Sequence, residues 1–372
     1  MNLGYFDYNA THPPFKEILL ESIEKYSDSY FNASGPTRFS LSKQGELEEA
    51  RQYFASITKK NKEQFVFSST GTEANTLLIH SLKKEFLKYE KLYVSPFEHS
   101  SVYETLHEFQ IPISVLKTDK TGIIDLEFLE KQMKINPAPV ILIYAANETG
   151  VIQPMEKVKS ILENYNMPIF SDLMQAFCKI EIDYTLLDGF TFSGHKIGAG
   201  LGASLSYINE KFTGKNFGVL KGGNQENNHR AGTENTAAIE CFKKSSLKQL
   251  ENLEMKNKRL LSFRDTIESA FKNLEIQIIA EHSPRLPSTI FALLPIEEVD
   301  FFMLGLEERK ILISNGSSCK SRSRDASTSL LNMGYTKDEA LRAVRISMGY
   351  FTSESEVEHL IQSTTEVLKA LR

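Results

Sequence analysis

The sequence predicts an α/β fold, with a large domain built on a mostly parallel sheet flanked by helices and a smaller α/β domain beside it. Short apolar segments alternate with longer amphipathic segments along most of the chain. This alternation is typical of a parallel sheet that is covered by helices on both faces. The chain has 372 residues, more than one hydrophobic core usually holds, so we expect two domains.

The first part of the chain supplies the large domain, which we expect to span residues 14–250. Apolar segments there predict buried strands at 65–67, 91–94, 113–116, 140–144, 169–170 and 189–192. Amphipathic segments between them predict helices at 45–57, 73–89, 102–109, 126–133 and 155–165.

The remaining residues, 1–13 and 251–372, are expected to form the small domain. A polar segment rich in Lys and Glu predicts one long connecting helix at 234–274. Beyond it, the pattern predicts strands at 276–279, 289–294 and 311–314, and helices at 299–308, 337–344 and 354–371.

The composition narrows the classes of protein that the chain can belong to. Hydrophobic residues make up 41% and charged residues 24%, and the net charge of −5 provides no basic excess for phosphate contacts. No apolar stretch approaches the roughly 20 residues of a membrane span, and the N-terminal pattern is not that of a signal peptide. Three cysteines without metal-ligand spacing predict neither a disulfide scaffold nor a metal site. We therefore expect a cytoplasmic protein that binds neither nucleic acid nor membrane.

Polar residues follow the predicted strands, at the sheet edge where α/β proteins bind their ligands. After the first strand come Gly71 and Thr72, whose backbone N–H groups and helix dipole suit a phosphate, although an ordinary helix cap has the same residues. After the second comes His99, which can stack on a flat aromatic cofactor or be structural. Asp172 follows a later strand, and its buried carboxylate needs a partner such as a protonated ring nitrogen, unless it caps the next helix.

Lys196 follows the last predicted strand of the large domain, in Ser-Gly-His-Lys. At such a position desolvation favours the neutral amine that Schiff-base formation needs, whereas a solvated loop lysine is the alternative. A phosphate cradle, a ring stacker, a carboxylate and this lysine fall at successive strand ends. Together they predict a pyridoxal 5′-phosphate (PLP) enzyme in which Lys196 carries the cofactor.

Beyond these residues, the chain resembles the NifS/IscS-like cysteine desulfurases of the class V aminotransferase family, which have PLP fold type I. The resemblance runs nearly end to end, from Asp-x-x-Ala-Thr at 7–11 to Gly-Ser-x-Cys at 316–319. Its further motifs lie at 70–73, 98–99, 147–150, 172–175, 193–196, 222–226, 230–235 and 344–349.

The resemblance implies a role for each matching residue. Lys196 would bind PLP covalently, Asp172 would pair with the pyridine nitrogen, and His99 would stack on the ring and move protons. Further cofactor contacts would come from Gln175 at the ring hydroxyl oxygen, from Gly71, Thr72, Ser193 and His195 at the phosphate, and from Thr233 of the partner subunit in a homodimer. Arg345 would bind the substrate carboxylate, a bidentate task that suits guanidinium, and Asn147 would contact cofactor and substrate beside it.

Cys319 indicates which reaction of this family the enzyme would catalyse. It lies in a Ser-, Gly- and charge-rich segment, where Lys320, Arg322 and Arg324 favour the thiolate. The resemblance implies that the enzyme converts L-cysteine to L-alanine, holds sulfur as a persulfide on Cys319 and passes it to an iron–sulfur scaffold or a thiolation enzyme. The alternatives are another class V reaction, such as selenocysteine lysis, transamination or epimerisation, and a non-catalytic scaffold. Cys178 and Cys241 lie in apolar settings and are expected to be packed.

Overall fold

The computed structural model describes residues 3–213, 218, 220–315 and 326–372. Within these ranges the strands, in chain order, are β1 (Gly4–Tyr5), β2 (Phe65–Ser68), β3 (Leu92–Val94), β4 (Ile113–Val115), β5 (Val140–Ile141), β6 (Ile169–Asp172), β7 (Gly189–Ser193), β8 (Ser204–Ile208), β9 (Gln277–Ile278), β10 (Thr289–Leu293), β11 (Ile311–Leu312), β12 (Ser314–Asn315) and β13 (Ala343–Ser347). The α-helices are α1 (Lys16–Asp28), α2 (Arg38–Thr58), α3 (Gly71–Phe86), α4 (Ser100–Glu108), α5 (Leu126–Ile135), α6 (Met155–Glu163), α7 (Glu210–Thr213), α8 (Thr236–Glu251), α9 (Leu253–Asn273), α10 (Val299–Glu308), α11 (Thr328–Asn332), α12 (Lys337–Leu341) and α13 (Glu354–Leu371).

The larger sheet has seven strands in the order β2-β8-β7-β6-β5-β3-β4. The five strands from β7 to β4 pair in parallel, whereas β8 pairs antiparallel with both β2 and β7. Strands β6 and β7 are buried along their whole length, as expected for parallel strands covered by helices on both faces. In their register Asp172 lies opposite Thr191, so the carboxyl ends of β6 and β7 lie side by side.

The smaller sheet is antiparallel, in the order β12-β13-β10-β9. The hydrophobic core against this sheet contains Phe6 from the N-terminal segment, Phe271 of α9 and Leu360 of α13. The short strand β1 pairs in parallel with β11. The N-terminal segment therefore packs with the C-terminal part of the chain. The division into a large domain (14–250) and a small domain (1–13 and 251–372) stays a prediction.

Two details of the predicted secondary structure are wrong. The single helix at 234–274 is two helices, because Asn252 between α8 and α9 has non-helical backbone angles (φ −126°, ψ 30°). Asparagine competes for backbone hydrogen bonds and so favours helix ends. The helix at 337–344 ends earlier, at Leu341, and its last residues begin β13, which pairs with β10 over five residues. Among the described residues, five elements have no counterpart among the predicted segments: α1, α7, α11, β1 and β8.

Among the described residues, no helix combines the length and the apolar character needed to cross a bilayer. The same part of the chain contains no group of three potential metal-ligating side chains. Cys178 and Cys241 are buried and reduced.

Candidate active site

A cleft of about 490 Å³ lies at the carboxyl ends of the parallel strands. The structure brings most of the predicted site residues to its wall: Gly71, Thr72, His99, Asn147, Asp172, Gln175, Ser193, His195, Lys196 and Arg345. Thr233 does not line this cleft and is exposed. Cys319 lies outside the described residues.

Lys196 ends the short 3-10 turn that follows β7 (Gly194–Lys196). Its Nζ donates hydrogen bonds to the backbone carbonyls of Asn9, at 2.7 Å, and Ala10, at 2.8 Å. Both acceptors belong to the N-terminal segment. The lysine amine is therefore directed into the cleft by a part of the chain far away in sequence.

Asp172 is the last residue of β6, and its carboxylate is buried and held at both oxygens. Oδ1 accepts a hydrogen bond from the backbone N–H of Met174 at 2.8 Å, and Oδ2 accepts one from Asn75 Nδ2 at 2.9 Å. The Asn75 side chain is fixed in turn, because its Oδ1 accepts from Thr191 Oγ1 at 2.5 Å. These bonds hold a carboxylate ready for a cationic partner in the cleft.

His99 is the N-cap residue of α4, and its ring is oriented by Ser101. Nδ1 accepts from the Ser101 backbone N–H at 3.1 Å and lies 2.8 Å from Ser101 Oγ. Because Nδ1 is an acceptor here, the proton of the neutral ring is on Nε2. Ser101 Oγ also accepts from Asn75 Nδ2 at 3.0 Å, so one asparagine connects His99 with Asp172.

Asn75 and Ser101 are absent from the residues predicted from the sequence. The signal for Asn75 is helical spacing, since it lies three residues after Thr72 and therefore near the same face of α3. Ser101 has a similar signal, because it lies two residues after His99, where a capping side chain finds its backbone donor.

The N-terminus of α3 lies at the cleft and has features that suit an anion. Thr70 caps the helix by accepting from the backbone N–H of Glu73. Gly71 keeps the approach open, because a Cβ there would lie 2.9 Å from Met174 Cε. Ser193 lies next to Gly71, and its Oγ accepts from Ser204 Oγ at 2.6 Å, which leaves the Ser193 hydroxyl proton to donate elsewhere. A phosphate suits this combination of helix dipole and hydroxyl donors.

His195 borders the same wall of the cleft. Burial, and then the positive charges of Lys196 and Lys179, lower the pKa of His195 to about 4. The imidazole is therefore neutral near pH 7 and would contact a phosphate as a hydrogen-bonding group rather than as a cation. Its Nδ1 lies 3.4 Å from Thr11 Oγ1.

Arg345, on β13, places a buried guanidinium at the other side of the cleft. Its Nη2 forms an ion pair with Asp7 Oδ1 at 2.6 Å, and its Nη1 donates to the backbone carbonyl of Asn147 at 3.2 Å. Asn147 therefore contacts Arg345, as predicted, but through its main chain. Asp7, the first residue of the Asp-x-x-Ala-Thr motif, is a further residue of the site through this contact with Arg345, and the sequence alone predicted no role for it.

Comparison with known proteins shows the family of the chain that forms this cleft. The model of the family described as "Aminotransferase class-V" matches residues 4–360. The chain belongs to the class V aminotransferase family. This class V chain is 27% identical to cysteine desulfurase IscS of Dictyoglomus turgidum, over 99% of its own length and 95% of that protein.

Solved structures agree with this assignment. A "NifS-like protein" superposes with a TM-score of 0.90 and 26% identity, with both chains fully covered. The structure described as "SspA in complex with cysteine" has a TM-score of 0.78 and 26% identity, and the match covers 92% of this chain and 98% of that one. The predicted fold and the predicted NifS/IscS-like relationship are therefore confirmed. Class V aminotransferases are PLP-dependent as a family.

Proposed function

We propose that this class V chain is a PLP-dependent cysteine desulfurase that converts L-cysteine to L-alanine and carries the released sulfur on Cys319. The observation that carries the proposal is the convergence of Lys196, Asp172 and His99 in one cleft. Cysteine desulfurases among the relatives, and a cysteine complex among the similar structures, favour this reaction over other class V reactions.

The residues of the cleft fit PLP. The N-terminus of α3 at Gly71 and Thr72, together with Ser193 and His195, would hold the phosphate. Asp172, whose two oxygens accept only two hydrogen bonds from the described residues, would pair with the pyridine nitrogen, and Gln175 would donate to the ring hydroxyl oxygen. When bound, PLP supplies an electron sink that stabilises negative charge on the substrate α-carbon.

Substrate binding and proton transfer fall to Arg345 and Lys196. Arg345 would bind the substrate carboxylate, and this carboxylate would replace or share the contact that Asp7 now makes. With PLP bound, Lys196 would be the base that removes the α-proton of the substrate. The carbonyls of Asn9 and Ala10 are positioned to hold its amine in the cleft.

Sulfur transfer requires a nucleophile, and we assign it to Cys319 from the sequence. The Cys319 thiolate would attack the substrate sulfur and form a sulfur–sulfur bond while the substrate carbon–sulfur bond breaks. The bonding pair stays with the substrate β-carbon, which takes up a proton and becomes the methyl group of alanine. The terminal sulfur of the persulfide would then be transferred to a thiol of an acceptor protein, an iron–sulfur scaffold or a thiolation enzyme, and the Cys319 thiolate would be the leaving group. A reducing cytoplasmic compartment suits this thiol chemistry.

The chain is proposed to act as a homodimer in which Thr233 reaches the phosphate of the partner's cofactor. Leu201 supports an interface at the cleft, because it lines the cleft and yet is 81% exposed in the single chain. Leu20, Tyr30 and Leu41 are further large apolar side chains exposed on or next to α1 and α2. Size-exclusion chromatography with light scattering tests this point, and an active monomer would contradict it.

The central test compares two cysteine variants of the PLP-loaded protein. Cys319→Ser should keep the visible absorbance of bound PLP but lose alanine formation from L-cysteine. Cys241→Ala is the matched control, because Cys241 is buried in α8, and it should keep both properties. Full alanine formation by Cys319→Ser would overturn the assignment of Cys319, and a wild-type protein that binds no PLP would overturn the proposed function itself.

A further inference from the structure

A second lysine, Lys179, lies next to the cleft behind Gln175. Its Nζ donates to Gln175 Oε1 at 2.5 Å and to Asn9 Oδ1 at 3.2 Å. Lys179 is partly buried and does not line the cleft, so it cannot itself be a main cofactor contact. Its influence on the site must pass through the amides that it holds.

The Gln175 amide is held from both ends. While Oε1 faces Lys179, Nε2 donates to the backbone carbonyl of Asn9 at 2.9 Å. The same carbonyl accepts from Lys196 Nζ at 2.7 Å. The amide nitrogen of Gln175 is therefore on the side of the cofactor-binding lysine, and its second N–H is available to a group in the cleft.

The hydrogen bonds of the Asn9 side chain determine which of its atoms faces Lys179. Its Nδ2 donates to the backbone carbonyl of Asn147, at 3.2 Å, and to Thr289 Oγ1, at 3.0 Å. Because a carbonyl oxygen can only accept, Asn9 must present Oδ1 to Lys179. Lys179 therefore faces two acceptors, and its contact with Gln175 is one link in a chain of hydrogen bonds with a single consistent direction.

The charge state of Lys179 is compatible with this role. Burial lowers the pKa of Lys179 well below its usual value, and the positive charges of Lys196, Lys256 and Arg345 act in the same direction. A neutral lysine amine retains two N–H donors, one for each acceptor. The hydrogen bonds therefore survive loss of the proton.

We propose that Lys179 is a positioning residue that fixes the Gln175 amide with its N–H toward the ring hydroxyl oxygen of the bound cofactor. The proposal rests on the proposed PLP-dependent function and adds a residue to it. Without Lys179, Gln175 Oε1 loses its donor, and only the bond from Nε2 to the Asn9 carbonyl still orients the amide. An amide that rotates out of this weaker restraint presents its oxygen to the cofactor, where two oxygens would repel each other.

The test uses Lys179→Met, which keeps the length of the side chain and removes the donor. Lys256→Met is the matched control, because Lys256 is also a buried lysine near this site but binds the carbonyl of Cys178 and Gln249 Oε1 instead. PLP is titrated into the cofactor-free form of each variant, and the visible spectrum is recorded as a function of pH. Thermal melting shows that each variant is folded.

Lys179→Met should weaken PLP binding by about tenfold, the effect expected for one well-placed hydrogen bond, and should shift the pH dependence of the visible absorbance. Lys256→Met should leave the spectrum and its pH dependence as in the wild type. In the Gln175→Leu background, Lys179→Met should have no further effect on either readout. A wild-type spectrum and affinity in Lys179→Met, or an undiminished effect in the Gln175→Leu background, would overturn the proposal while leaving the proposed function intact. Absence of PLP binding by the wild type would instead overturn both.

Discussion

Breaking the buried ion pair between Arg51 and Glu226 should lower the free energy of unfolding by a large and measurable amount. Two parallel hydrogen bonds of 2.8 Å join the guanidinium on α2 to the carboxylate. The Arg51 and Glu226 side chains are only 3% and 1% exposed. Arg51 also donates to the carbonyl of Phe65, and Glu226 accepts from the backbone N–H of Phe67, so the pair fastens a loop to β2.

Replacing Glu226 with Gln keeps the shape of the side chain and removes its charge. The buried guanidinium then keeps only Glu48, whose Oε1 lies 3.1 Å from Arg51 Nε and whose side chain is 39% exposed. Because its charge is no longer fully compensated, the substitution should cost about 3–5 kcal/mol of unfolding free energy. For 372 residues, an unfolding entropy of about 2.1 cal/mol/K per residue converts this loss into a melting temperature lowered by roughly 4–6 °C. The same substitution at the exposed Arg309–Glu366 pair, whose side chains are 35% and 49% exposed, should have a much smaller effect, because solvent screens the two charges.

The assay is calorimetry or urea denaturation of Glu226→Gln and of the control Glu366→Gln under identical conditions. Arg51→Met combined with Glu226→Gln should recover part of the lost stability, because it removes the uncompensated charge. Equal, small effects of the two single substitutions would refute the reasoning, as would a double variant less stable than Glu226→Gln.

Two further predictions concern pH and packing. Burial and then the negative charge of Asp172 raise the pKa of Glu98 well above its ordinary value, so the folded protein holds a proton that the unfolded chain has released. Stability should therefore fall as the pH rises above about 4.3, and Glu98→Gln should flatten this fall in urea midpoints; an unchanged slope would contradict it. Gly349→Ala should destabilise the protein by about 1–3 kcal/mol or more in thermal melts, because a Cβ there would overlap the buried Tyr8 ring. Gly45→Ala, with open space around it in α2, should instead stabilise by about 0.5–1 kcal/mol, and the reverse order would show that the packing argument fails.

The central sheet and the residues at its edge were predictable because their signals are local. Asp172 ends β6 and Lys196 ends the short turn after β7, and neighbouring parallel strands bring such positions together whatever the rest of the chain does. The predicted helix at 337–344 includes the first two residues of β13, because a five-residue buried segment has no periodicity that distinguishes a strand from a helix end.

Contacts between distant parts of the chain could not be predicted in the same way. The ion pair of Asp7 and Arg345, and the carbonyls of Asn9 and Ala10 on Lys196, depend on the docking of the N-terminal segment. No pattern of residue spacing in the sequence predicts that docking. The helix break at Asn252 is also a tertiary effect, since asparagine occurs inside helices as well as at their ends.

The docking of the N-terminal segment has a consequence for the order of events during synthesis. Asp7 and Arg345 are 338 positions apart, so the ribosome must add all the residues between them before these two side chains can meet. The large sheet can form earlier, because domains fold as units as the chain emerges. The contact that Asp7 makes beside the cleft is therefore formed late, after the strands of the large sheet have been made.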